Sequence, residues 1–252
     1  MKIRCISCEA LARLVYAAAA RSRHVVDIEL LPIGLHADAA DLRRKIQERI
    51  DAVAAGSYDA VVLGYGLCGK ATAGLTAGST RLVIPRAHDC ITLFLGSRER
   101  YNTAFSEHPG TYWYAADYIE RGGPQAGAGM ALGGTGAEDI EKTYREYVET
   151  YGEENAAYLM ETMGAWRAHY DRAAFIDCGL GVSPETKHAA QQQARRRGWR
   201  FETVPGELVL VRKLLDGTWD QDVLVVEPGR TVRESYDEHV MEARCDTREP
   251  HS

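Results

Sequence analysis

At 252 residues and 45% hydrophobic content, the chain can bury a core without disulfide or metal staples. Its formal charge of −6, with basic residues mostly scattered, gives no nucleic-acid footprint, and the triplet Arg195-Arg-Arg197 reads as a solvated helix end. No run approaches the ~18 apolar residues of a membrane span, and the opening MKIRCISC is too short and polar for a secretory signal, so a cytoplasmic location is expected.

Residues 1–7 are β-branched and partly apolar and predict a strand, which hands over at Cys8 to a helix rich in alanine and leucine. Residues 25–31 predict the second strand. Residues 38–54 predict a helix whose apolar positions Leu42, Ile46, Ile50 and Val53 share one face. A third strand at 60–63 runs into Gly64-Tyr-Gly-Leu-Cys-Gly69. A fourth at 82–84 runs into Pro85-Arg-Ala-His-Asp-Cys90, with a helix entered at Asp89. Residues 110–114 predict an aromatic strand, and Tyr112, Trp113 and Tyr114 there suit either sheet core or the wall of a flat-ligand pocket.

The stretch 122–136, with seven glycines and one proline, predicts a loop or lid. Residues 137–170 predict two helices broken near Gly152. A strand at 173–177 follows, then a helix at 184–197 with proline near its start and Gly198 beyond its end. Residues 201–204, 208–211 and 223–226 predict short strands, and 236–252 a charged, loosely held tail. The expected fold is α/β: a mainly parallel, Rossmann-like sheet with helices on both faces. It forms one domain or two pseudo-repeated halves, 1–121 and 137–235, hinged at 122–136.

Crossovers of this kind place every strand-to-helix turn at one edge of the sheet, where ligands of open α/β sheets bind. Cys8, Cys68, Cys90 and Cys178 each fall within a few residues after an expected strand, as does His88. In a reducing compartment such a group reads as metal-binding or catalytic before it reads as disulfide. Three or four thiolates with an imidazole suit zinc or an iron–sulfur cluster, with Asp89 or Asp177 orienting His88. His88 and Asp89 are also candidate acid/base groups. Gly64, Tyr65, Gly66, Gly69 and Arg86 are candidate cofactor-binding residues, the glycines because they let backbone come close to a bulky group and Arg86 because a guanidinium fork grips anions.

Other readings stay open. Cys5 and Cys8 have C-x-x-C spacing, but a strand would aim them differently, and no second pair answers them. Residues 64–69 match G-x-G-x-x-G, yet they follow the third strand and not the first, where a dinucleotide fingerprint belongs. A metal-free Cys–His transferase would pair Cys68 with His88. Alternatively the cysteines are only core, and the chain is a non-catalytic accessory or chaperone module.

At Ser7-Cys-Glu-Ala-Leu11, Leu63-Gly-Tyr-Gly-Leu-Cys-Gly69, Ile84-Pro-Arg-Ala-His-Asp-Cys-Ile-Thr-Leu93 and Gly96-Ser-Arg-Glu-Arg-Tyr101, the chain resembles the family called domain of unknown function 1638. The resemblance implies a setting in anaerobic archaea and bacteria, beside corrinoid-dependent methyltransferase systems, and with it oxygen-sensitive metal chemistry. The partner it implies is a corrinoid protein or a methyltransferase subunit. The corrinoid-binding order D-x-H-x-x-G is absent, since Asp89 follows His88. The expectation is therefore a thiolate-rich metal or iron–sulfur protein of one-carbon metabolism, a methyltransferase-associated or redox enzyme among its readings, with a small-molecule ligand and a homo-oligomer allowed.

Overall fold

The computed structural model describes residues 1–122, 148, 152–153, 170–235, 237 and 239–245. In chain order the elements are β1 (Lys2–Cys8), α1 (Ala12–Ala19), β2 (Val25–Leu31), α2 (Ala39–Asp51), β3 (Ala60–Gly64), β4 (Leu82–Pro85), α3 (Cys90–Leu95) and α4 (Arg98–Glu107). Then come β5 (Thr111–Ala115), α5 (Ala116–Arg121), β6 (Arg172–Asp177), α6 (Pro184–Arg196), β7 (Arg200–Pro205), α7 (Val209–Leu215), β8 (Val223–Val226), β9 (Arg230–Glu234) and β10 (Met241–Cys245). They form two compact units, Met1–Tyr101 with Gly206–Ser252, and Asn102–Pro205.

The first unit is built on a five-stranded sheet of order β2-β1-β3-β4-β8. The first four strands are parallel and β8 is antiparallel to β4, so the sheet is mixed and mainly parallel. Every residue of β3 and β4 is buried, which is why both read as continuous apolar runs instead of alternating ones. β2 lies at the edge and keeps charges: Glu29 pairs with Arg4 and with Arg49 Nε at 2.6 Å. Asp38 caps α2 by accepting from the backbone N–H of Ala40 at 2.8 Å and Asp41 at 3.2 Å, as an aspartate just before an apolar-periodic helix predicts.

The second unit holds the parallel sheet β5-β6-β7. Tyr112, Tyr114, Phe175, Ala190 and Ala194 form its core, with Trp199 packed against it. Tyr112 and Tyr114 are thus core aromatics. α6 starts at a Ser183 cap with Pro184 in its first turn, the punctuation that its sequence carries.

Two expectations are corrected. Residues 209–211 of the expected strand 208–211 are helical, in α7, because Leu210, Val211, Leu214 and Leu215 bury a helical stripe that four residues alone could not distinguish from a strand. The expected loose tail begins inside a hairpin: β9 and β10 pair antiparallel, with Met241 opposite Glu234. The loop and helices expected over 123–169 lie outside the described residues, apart from positions 148, 152 and 153.

Candidate functional site

Strand order reverses between β1 and β3, since β2 lies outside β1 on one side and β4 outside β3 on the other. In open α/β sheets the crevice beyond the carboxyl ends at such a switch point is where ligands sit. Cys8 is the last residue of β1, and Cys68 and Cys90 lie in the segments that leave β3 and β4.

Main-chain bonds hold the β3 and β4 turns together. Leu67 donates to the Ala87 carbonyl at 2.7 Å and Cys68 to the His88 carbonyl at 2.9 Å. Gly66 makes this contact possible: a Cβ there would stand 2.8 Å from both the Ala87 oxygen and the Asp89 nitrogen. Gly64 does the same against β1, where a Cβ would fall 2.2 Å from Ser7 Oγ. These two glycines therefore serve strand-end packing. Beyond them Cys68 (φ 48°) and Lys70 (φ 70°) flank exposed Gly69 in the left-handed region, a conformation that costs non-glycine residues energy and collects at functional sites.

The other called residues divide between structure and surface. Asp89 caps α3, accepting from Ile91 N at 3.0 Å and Thr92 N at 3.3 Å, with the Tyr101 hydroxyl at 3.4 Å on its other oxygen. Its carboxyl is thereby spent on the backbone, and burial pushes its pKa up. His88 is exposed, and its carbonyl serves the turn. Arg86 donates to the carbonyls of His239, at 3.0 Å, and Met241, so its guanidinium pins the β9–β10 hairpin. Cys178 follows β6 in the other unit, half-buried, beside Asp177 whose Oδ1 accepts from Gly179 N at 2.9 Å. The group drawn from adjacent strand ends of one sheet is therefore Cys8, Cys68 and Cys90. Cys5 is buried inside β1 and Cys245 is exposed at the end of β10.

Cys8 is buried, and its sulfur accepts from Ala10 N at 3.4 Å; Cys68 and Cys90 are half-buried. Burial pushes the Cys8 thiol up to about 12 and raises Cys68 and Cys90 as well. The three lie within electrostatic reach of one another: Cys8 acts on Cys68, and both act on Cys90. Asp89 also acts on Cys68 and Cys90 and raises them. Burial beside a carboxylate and other thiols favours the neutral thiol over the thiolate.

Tyr65 lies beside the thiols. It is 1% exposed, its hydroxyl has no hydrogen-bond partner among the described residues, and Cys8, Cys68 and Glu9 lie within electrostatic reach of it. The His36 ring stacks over it with centroids 6.0 Å apart. A buried hydroxyl without a partner costs about 1–3 kcal/mol. As the side chains stand, no group of three or more His, Cys, Asp or Glu among the described residues could hold a metal ion.

A family model described as "Protein of unknown function (DUF1638)" matches residues 30–215. The chain belongs to this family. The DUF1638 match contains Cys68, His88, Cys90 and Cys178 and leaves Cys8 and its neighbours, which carried part of the resemblance, outside it. No curated protein and no solved structure matches the chain. Among the described residues no helix is long and apolar enough to cross a membrane.

Proposed function

We propose that this DUF1638 protein is a thiolate-rich metal-binding protein with a Rossmann-like, doubly wound first unit, whose Cys8, Cys68 and Cys90 close on a soft metal at the switch point. The metal is zinc or part of an iron–sulfur cluster. The observation that carries the reading is the convergence of three thiols from three neighbouring strand ends, with Cys8 in electrostatic reach of Cys68 and both in reach of Cys90. A bound cation would make the thiolates stable, releasing their protons on loading. The thiols do not form a finished ligand set, so binding requires staggered rotations of the half-buried Cys68 and Cys90 side chains. Three protein ligands would leave a zinc ion an open position for a small-molecule ligand.

We propose that such a site serves corrinoid-linked one-carbon metabolism, beside a corrinoid protein or methyltransferase subunit, the setting that the family resemblance implies. Metal analysis of anaerobically purified protein tests the reading. Wild type is expected to hold about one zinc or one cluster per chain, and Cys68→Ala and Cys90→Ala to lose it; visible charge-transfer colour distinguishes iron–sulfur from closed-shell zinc. Metal-free wild type sinks the proposal.

A non-catalytic accessory module whose cysteines are only packing is the second reading. It is favoured by the structural employment of Asp89, Gly64, Gly66 and Arg86. Thiols that all resist alkylation in the native protein support it. The metal-free Cys–His transferase draws less support, because His88 is exposed and the thiols are held protonated.

A further inference from the structure

Buried polar groups nearly always find a partner, so one without a partner calls for a cause. The Tyr65 hydroxyl is buried and has no hydrogen-bond partner among the described residues. Its ring is held from two directions. The His36 ring stacks on it, with centroids 6.0 Å apart and planes at 27°, and the next residue, Gly66, is packed against the backbone of Ala87 and Asp89. A tyrosine oxygen lies in the plane of its ring, so this hydroxyl cannot turn out to solvent unless the ring moves.

The β1–β3 ladder sets its neighbour. Ser7 and Gly64 form the last register pair, and Cys8 and Tyr65 are the residues that follow them. The two backbones stay close there, since a Cβ on Gly64 would fall 2.2 Å from Ser7 Oγ. Cys8, and after it Cys68, lies within electrostatic reach of the Tyr65 hydroxyl. Cys8 Sγ accepts from Ala10 N at 3.4 Å but not from Tyr65. A thiol sulfur is a weak acceptor, whereas hydrogen bonds to an ionised group are roughly twice as strong as neutral ones. A staggered turn of the Cys8 side chain relocates its sulfur without moving the strand.

We propose that Tyr65 is a positioning residue of the thiol site, whose hydroxyl donates to the Cys8 thiolate when a metal is loaded and so fixes that ligand. This role rests on the thiolate metal reading and adds to it a donor from outside the ligand set. Donors of this kind orient metal ligands and tune how tightly the metal is held. It also accounts for the idle hydroxyl: beside a protonated thiol the donor has only a weak acceptor to meet.

Anaerobic titration of the full chain with cobalt(II), a coloured stand-in for zinc, tests it. Wild type is expected to develop thiolate-to-cobalt charge-transfer bands. Tyr65→Phe should show them at longer wavelength, because a thiolate that has lost a hydrogen bond gives up electron density more readily. It should also bind cobalt about tenfold more weakly, the scale of one hydrogen bond to a charged group. Phenylalanine keeps the ring and its stack on His36, so a merely structural role would leave both band position and affinity unchanged. Tyr114→Phe, in the other unit, should match wild type in both. Identical bands and affinity in wild type and Tyr65→Phe, equal changes in the two variants, or no thiolate-to-cobalt bands in wild type overturn the positioning role. Metal analysis of the purified wild type judges the metal reading itself: with metal bound and the spectra identical only the role of Tyr65 fails, whereas metal-free wild type removes both.

Discussion

Both sheets carry a thiol just beyond the carboxyl end of a strand, yet the two settings differ. In the first unit the turns after β3 and β4 are tied to each other by main-chain bonds, and three thiols share one electrostatic neighbourhood. In the second, Cys178 follows β6 in a turn closed by the Asp177–Gly179 bond, and a Cβ at Gly179 would meet nothing within 4 Å. A cysteine at a strand end is therefore not yet a site. What converts it into one is a neighbouring strand whose own turn is pulled into contact.

The sharpest way to break that contrast is to add one methyl group to each turn. At Gly66 a Cβ meets backbone atoms at 2.8 Å that no side-chain rotation can move, so Gly66→Ala is expected to destabilise the protein by about 3 kcal/mol through overpacking. At Gly179 the cost is only that of a left-handed alanine (φ +67°, open space), about 1 kcal/mol. Urea denaturation of the two variants measures the difference. Equal losses would mean that the zipped turn is no tighter than the open one.

Much of both units was legible because the signals are local. The continuous apolar runs at 60–63 and 82–84, the Asp38 cap and the Pro184 helix start each carry their cause within a few residues. The strand-end positions of Cys8, Cys68 and Cys90 were readable for the same reason. Their adjacency was not, because sheet order is set by crossovers; Cys178 follows β6 of the other sheet. Asp89 could be named as a polar group but not as a cap already spent on Ile91 and Thr92. The hairpin was missed because Arg230-Thr-Val-Arg-Glu234 and Met241-Glu-Ala-Arg-Cys245 are short and charged, although Val232 and Met241 are buried.

A smaller effect separates the two strand-end aspartates. Burial raises the Asp89 pKa in the folded protein, so between its ordinary and its raised value the folded state binds more protons than the unfolded one. The stability linked to that protonation is full below the ordinary carboxyl pKa and is lost as pH rises through the raised one. Asparagine caps a helix about as well as aspartate, so Asp89→Asn should cost less than about 1 kcal/mol at neutral pH. As pH falls toward about 4, wild type should gain on the variant. Asp177→Asn, which touches one turn bond at the end of β6, is the reference. A wild-type advantage that instead grows with rising pH contradicts the assigned sign.

The finest comparison sets two tyrosines, each 1% exposed, against each other. Tyr114 in the second unit donates its hydroxyl to Gln193 Oε1, while the Tyr65 hydroxyl has no partner among the described residues. Removing a satisfied hydroxyl loses a bond of about 1 kcal/mol, so Tyr114→Phe should be destabilised by that amount. Removing one that lacks a partner relieves a desolvated group, so metal-free Tyr65→Phe should match or exceed wild type by up to about 1 kcal/mol. The order should invert for the metal-loaded protein, in which a thiolate beside Tyr65 would accept its hydrogen bond and Tyr65→Phe would bind metal more weakly. If Tyr65→Phe is destabilised without metal as much as Tyr114→Phe, its hydroxyl already has a partner such as an ordered water. It would then no longer point to a ligand among Cys8, Cys68 and Cys90.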